Sequence, residues 1–274
     1  MYIADSHTHS KYSFDGPQNS SGEICSLCEA AIERGLSEIA ITDHLDINGA
    51  VEGIYPEIDC DSIRRDVLAA KEKYAGKLYV CYGIELGQAM EYPKEAKAFL
   101  DKYKYEFVIG SLHNYPGVPD YSFIDYAQIT DRHIEKLFRS SIDGLCDLCN
   151  FDGLNTIAHF TYMHRYVRLK NRDINFASFY PEIKTFYKKL IESGKALEIN
   201  TSTLRSGAGM TMPTYELMRF YRECGGELVT CGSDSHGSEF VGCHIKDVYD
   251  FLASAGFKYV TVFHDGKPQM NKIN

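Results

Sequence analysis

A chain of 274 residues, 44% hydrophobic and 24% charged, is long enough for one large α/β barrel or for two ordinary domains. Its formal net charge of -9 and pI near 5.6 argue against a nucleic-acid footprint, which shows as a basic patch, and point to a small ligand. No apolar run approaches the roughly 18 to 20 residues a membrane span requires, and Met1-Tyr2-Ile3-Ala4-Asp5 lacks the basic and apolar regions of a signal peptide, so a cytoplasmic enzyme is expected.

In chain order, apolar β-rich runs alternate with helical patterns. A strand over 3–6 precedes a helix over 21–34; strands over 38–42, 78–85 and 107–112 precede helices over 60–74, 93–103 and 131–149. The pattern continues with a strand over 154–160, a helix over 179–193, a strand over 196–200, a helix over 213–223, and strands over 228–232 and 259–263. Gly35, Gly76, Gly194 and Gly225 stand just past helices, the usual left-handed stop. Seven or eight βα units imply a parallel sheet covered by helices and closed into a single barrel spanning residues 1–274; a doubly wound open sheet is the alternative. The long loops 46–59, 114–125 and 164–178 all follow predicted strands, where a barrel builds its active site.

The nine cysteines are odd in number and scattered, which disfavours a disulfide framework. Cys25/Cys28 and Cys146/Cys149 have Cys-x-x-Cys spacing, but each pair falls inside a predicted helix and reads as core packing.

The ionisable residues at strand ends carry the chemistry. His7 and His9 in "DSHTHS" are two apart, so their side chains leave one face of the first strand; Asp234 and His236 in "GSDSH" repeat that spacing near the other end of the chain. Between them His44, Glu85, His113 and His159 each stand where an apolar strand runs out, on the catalytic face of a parallel barrel. A lone histidine is most often a satisfied, half-buried side chain. Six histidines with Glu85 and Asp234 at one rim are better explained as ligands, and mixed imidazole and carboxylate donors without thiolate suit Zn, Mn, Fe or Co. His133, His244 and His264 fall away from that rim and receive no role.

The segments "DSHTHS", "YSFDG", "ITDH", "GIE", "GSLH", "IAHF" and "GSDSH", in this order from Asp5 to His236, resemble the PHP (polymerase and histidinol phosphatase) superfamily. The resemblance implies a distorted seven-stranded, TIM-like α/β barrel holding two or three divalent ions. It implies His7, His9, Glu85 and Asp234 around one ion, Glu85 with His113 and His159 around a second, and Asp15, His44 and His236 around a third. "LEINTSTLR" is similar to the stand-alone histidinol-phosphate phosphatases of that superfamily. This likeness implies Arg205 and Arg165 as phosphate contacts, with Arg168 as a substitute for Arg165, and Asn200 and Thr201 beside the substrate.

The expected reaction is hydrolysis of a small phosphate monoester, histidinol phosphate above all, by in-line attack of a metal-bridging hydroxide, with Asp234 or His236 as candidate proton donors to the leaving group. Three divalent ions would outweigh Asp15, Glu85 and Asp234 and attract a phosphate dianion despite the acidic surface. The alternatives are a nucleotide phosphoesterase and a non-catalytic PHP module. The presence of all nine metal-site positions, with no polymerase segment after Asn274, opposes the second. Tyr115, Tyr121, Tyr162 and Tyr166 could flank a substrate imidazole or ammonium, and 114–125 could serve as a lid.

Overall fold

The computed structural model describes residues 1–273. Eight parallel strands, β1 (Ala4–Thr8), β2 (Glu38–Ile41), β3 (His44–Asp46), β4 (Tyr79–Gly87), β5 (Phe107–Ser111), β6 (Thr156–Ile157), β7 (Ala196–Asn200) and β8 (Val229–Gly232), make one sheet in the order β1-β2-β4-β5-β6-β7-β8. β3 prolongs β2 along β4: Ile41 faces Tyr82 and His44 faces Glu85, so the barrel has seven staves. It closes at its carboxyl rim, where Asp234 N–H donates to His7 O (2.8 Å) and His9 N–H to Ser235 O (2.8 Å). That closure excludes the open sheet.

The helices are α1 (Ile24–Glu33), α2 (Ile47–Glu52), α3 (Cys60–Lys73), α4 (Pro93–Tyr103), α5 (Asp131–Leu148), α6 (Tyr162–Arg168), α7 (Tyr180–Glu192), α8 (Ser202–Arg205), α9 (Tyr215–Glu223) and α10 (Ile245–Ser254). Their starts follow ordinary capping: Asp59, Thr130 and Thr214 accept from Ser62, His133 and Leu217 N–H at the heads of α3, α5 and α9. In α5, Ile134, Phe138, Ile142 and Leu145 recur at helical spacing and bury one stripe against the barrel. Gly35 (φ 72°) and Gly194 (φ 69°) take the left-handed conformation after α1 and α7.

Strand alternation splits the core in two. Odd and even positions send Ile39, Ile41, Val80 and Ile84 outward to the helices, whereas Ala40, Cys81, Phe107, Ile109, Ala158 and Ala196 fill the barrel interior. The floor is sealed by the antiparallel hairpin β9 (Tyr259–His264) and β10 (Lys267–Lys272), whose Phe263 joins the interior cluster and stacks on Phe107 at 5.5 Å.

The run 259–263 is a strand but not a stave; its Phe263 plugs the amino-terminal end of the barrel. The run 154–160 pairs only at Thr156–Ile157, because the chain turns to bring His159 (φ 29°) over the rim. Loops 46–59 and 164–178 are partly helical, containing α2 and the end of α6, and α10 and β10 fall outside the predicted elements. All nine cysteines are free thiols; Cys28, Cys146 and Cys149 pack in the core beneath α1 and α5 as expected, whereas Cys25, on the outer face of α1, is exposed and does not. No helix among the described residues is long and apolar enough to cross a membrane.

Candidate metal centre

Glu85 lies on the interior face of β4, four residues beyond Cys81, and is 0% exposed. Five imidazoles converge on it. Its Oε2 is 2.8 Å from His44 Nδ1, 3.1 Å from His7 Nε2 and 3.5 Å from His9 Nε2, and its Oε1 is 2.9 Å from His159 Nε2 and 3.3 Å from His113 Nε2. Asp234 Oδ1 approaches His9 Nε2 to 3.3 Å and His7 Nε2 to 4.0 Å. Asp15 Oδ2 stands 2.9 Å from His236 Nε2 and 3.7 Å from His44 Nε2. The structure thus brings all nine expected ligand positions to one rim.

The rings are oriented from behind. His7 Nδ1 contacts Glu198 Oε1 at 2.6 Å, His113 Nδ1 contacts Asp46 Oδ1 at 3.0 Å, and His236 Nδ1 contacts the Asp234 carbonyl at 3.2 Å. Ser13 Oγ donates to Asp43 (2.9 Å) and accepts the His44 N–H (3.0 Å), so it is also an acceptor for His9 Nδ1 at 3.2 Å. An N–H held at Nδ1 leaves the Nε2 lone pair for the centre of the cluster.

These donors suit cations. His9 Nε2 and His44 Nδ1 are buried without a hydrogen-bond partner among the described residues, although carboxylate oxygens lie within 3.5 Å, so the approach lacks hydrogen-bond direction. Ligand atoms of His7, His9 and Glu85, of His44, Glu85 and His113, and of His9, His44 and His236 lie within 4.8 Å of one another in each group. His44 therefore reaches the Glu85 and His113 group as well as the Asp15 and His236 group to which the resemblance assigns it.

Electrostatics agree with the geometry. Burial alone would raise the Glu85 pKa, but His44 and His7 outweigh it and hold the carboxyl well below its usual range; His7 and His9 do the same for Asp234. Burial, with His44 and His236 nearby, pushes His9 down to about 3, so it is neutral with a lone pair to give. Burial would lower His44, but Glu85 raises it to about 9. His159 and Asp234 hold positive φ (29° and 52°), strain for non-glycine residues of the kind that collects at functional sites.

Above the cluster opens a cavity of about 520 Å³, within the range of small-molecule sites. Its walls include Arg165, Arg205, Asp120, Phe14, Tyr55, Phe123, Tyr162, Tyr166 and Phe240. The buried Arg165 Nε has no partner among the described residues, and its guanidinium lies 5.7 Å over the Tyr166 ring. Arg205 donates to the Ser233 and Asp234 carbonyls (2.6 and 2.7 Å) and stacks on Phe240, leaving other N–H groups toward the cavity.

Several expected residues lie elsewhere. Asn200 and Thr201 are fully buried and do not line the cavity: Asn200 Nδ2 contacts Asp234 Oδ2 at 3.3 Å and Thr201 Oγ1 donates to Cys243 O at 2.7 Å, which makes them supports of the rim. Arg168 pairs with Asp173 at 2.9 Å and lines a separate cavity, so it does not replace Arg165. Tyr121 is buried, Tyr115 is absent from the cavity wall, and from 114–125 Asp120, Ser122 and Phe123 reach it. Three buried acids outside the expected ligand set stand behind the rings: Glu198 contacts His7, Asp46 contacts His113, and Asp43 reaches His9 through the Ser13 hydroxyl. Alternation could have exposed Glu198, an acid at an interior position of the apolar run "ALEIN".

The family model of the PHP domain matches residues 5–202. A probable histidinol-phosphatase of Clostridium acetobutylicum is 28% identical over 264 residues, 94% of this chain and 96% of that protein. A histidinol-phosphatase of Lactococcus lactis is 25% identical over 274 residues, 99% of this chain and 98% of that protein. The crystal structure of histidinol phosphate phosphatase from Lactococcus lactis, complexed with zinc, L-histidinol and phosphate, matches with a TM-score of 0.80 at 24% identity, covering 97% of this chain and 98% of that one. Since the matched span is well over half of the chain and contains seven of the nine converging positions, with Asp234 and His236 brought to it by barrel closure, the chain belongs to the PHP domain family.

Proposed function

We propose that residues 1–274 act as one metal-dependent phosphomonoesterase, with histidinol phosphate as substrate and histidinol and phosphate as products, and that the enzyme works in the cytoplasm. The observation that carries the chemistry is one buried carboxylate, Glu85, met by five imidazoles, three of which (His44, His113 and His159) line a cavity flanked by two arginines. The names of the full-length relatives support the choice of ester.

On this reading His7, His9, Asp15, His44, Glu85, His113, His159, Asp234 and His236 hold two or three divalent ions, of zinc, manganese or iron. Such ions would polarise the phosphoryl oxygens and lower the pKa of a coordinated water toward neutrality. Arg165 and Arg205 receive the phosphate oxygens as a charge-assisted clamp, and their stabilisation grows as charge develops in the transition state. The aromatic wall of Tyr55, Tyr162 and Tyr166, with the Asp120 carboxylate, faces the organic part of the ester and suits a cationic amine or imidazole. Asp234, held ionised by its histidines, is unsuited to protonate the leaving alkoxide, which leaves His236 or cavity water for that step.

The test is phosphate release from histidinol phosphate and from nucleoside monophosphates, before and after chelation. Turnover of histidinol phosphate that disappears on chelation, and in His9→Ala and Glu85→Ala proteins that still fold, is the expected result. Full activity in stripped protein would reject the metal-dependent reading; preference for nucleotides would reassign the ester; a zinc-loaded protein inert on every ester would make it a binding module.

A further inference from the structure

We infer that Glu198, which belongs to no expected ligand set, is a positioning residue that links two of the cation positions. The inference rests on the reading that the Glu85 cluster holds cations.

Glu198 sits at the middle of β7, faces the barrel interior and is 1% exposed. Its two oxygens serve different clients. Oε1 receives His7 Nδ1 at 2.6 Å; Oε2 accepts the His159 backbone N–H at 2.9 Å and Asn200 Nδ2 at 3.2 Å, and that same amide reaches Asp234 Oδ2 at 3.3 Å. One carboxylate therefore braces His7 and, through Asn200, Asp234 on one side of Glu85, and the backbone of His159 on the other.

Two further observations show that the barrel is built around this contact. His159 adopts φ 29°, which a non-glycine residue holds only when its surroundings oblige it, and the N–H pinned by Glu198 is its own. Gly232 on neighbouring β8 has no side chain where one would collide: a Cβ there would lie 2.5 Å from His7 Cβ and closer still to Glu198 Oε1.

The chemistry is specific to a carboxylate, which only accepts hydrogen bonds, and every one of these contacts points a donor at it. An amide in the same place would turn an NH₂ toward either His7 or the His159 and Asn200 pair. Facing His7, it would force the ring to accept at Nδ1 and carry its proton at Nε2, toward Glu85, where the lone pair is needed. A second-sphere carboxylate of this kind commonly changes metal affinity about 10- to 100-fold.

The experiment is zinc affinity, measured by competition with a chromophoric chelator, for wild type, Glu198→Gln, Glu198→Asp, His7→Ala and the Glu198→Gln/His7→Ala double variant. Glu198→Gln is expected to weaken zinc binding about 10- to 100-fold, Glu198→Asp to recover part of the loss, and Glu198→Gln to cost less once His7 is gone, because the His7 contact is part of what it supplies while those to His159 and Asn200 remain. Wild-type affinity in Glu198→Gln, or losses that multiply in the double variant, would overturn the inference. Should Glu198→Gln fail to fold, long-range ¹H–¹⁵N spectra of zinc-loaded wild type decide: His7 protonated at Nδ1 is expected, and protonation at Nε2 would overturn it. Zinc binding is scored without turnover, so a protein that binds zinc but releases no phosphate would sink the phosphatase reading alone.

Discussion

His44 and His9 lie in the same cluster with rings stacked at 4.1 Å, yet their environments drive them in opposite directions, His9 down to about 3 and His44 up to about 9. The difference is position. His9 is buried among other rings, whereas His44 lies directly against the Glu85 carboxylate. Without cations, a group whose folded pKa is raised stabilises the fold fully below its unfolded value near 6.5, and that stability drains away as pH climbs through the folded value. The stripped protein is therefore expected to lose thermal stability between about pH 6.5 and 9, while the cation-loaded protein, in which His44 has given up its proton, stays flat across that window. Loading at pH 7 should also release protons, visible as a binding enthalpy that depends on the ionisation enthalpy of the buffer. Melting curves that superimpose for loaded and stripped protein would contradict the assignment of His44 as a ligand.

At the scale of elements, short pieces of structure aim the phosphate contacts. α6 spans Tyr162–Arg168 and α8 spans Ser202–Arg205, and each places an arginine at the cavity from just beyond a stave. The arginines are not equivalent. Arg165 lines the cavity with its Nε unpartnered among the described residues, while Arg205 also clasps the carbonyls of Ser233 and Asp234. Arg165→Ala is expected to weaken phosphate-ester turnover by about 10- to 100-fold, the range of a charge-assisted hydrogen bond of ~1.5 to 3 kcal/mol, with metal content intact. Arg205→Ala should show a similar loss and also shed cation faster, because Asp234 loses its brace. Kinetics and elemental analysis on both variants separate these outcomes, and unchanged kinetics would remove the arginine concerned from the site.

The molecule as a whole keeps its stabilising apolar plug at the opposite end of the barrel from its ionisable rim. Phe263 arrives from a hairpin outside the stave order and fills the floor against Phe107, Ala158 and Ala196. Phe263→Ala should cost about 3 to 5 kcal/mol of stability through cavity formation, seen as a lower denaturation midpoint, while kcat well below the new midpoint stays near wild type. A large loss of kcat without a loss of stability would show that floor and rim are coupled after all.

The amino-acid order by itself determined the βα repeat and eight of the rim positions, because alternation along a strand and the run of apolar residues up to each His, Glu or Asp are local properties that one segment states alone, whereas Asp15, in the loop after β1, was legible only through the resemblance to the PHP superfamily. It could not decide which side chains stand behind those ligands. Glu198, Asp46 and Asp43 acquire their work only when separate strands bring them against His7, His113 and the Ser13 hydroxyl, and Asn200 and Thr201 changed from expected substrate contacts to supports for the same reason. Barrel closure made the same kind of decision for Asp234: 227 positions beyond His7 in the chain, it meets that residue through a backbone hydrogen bond of 2.8 Å, a contact that exists only once the first and last staves have joined.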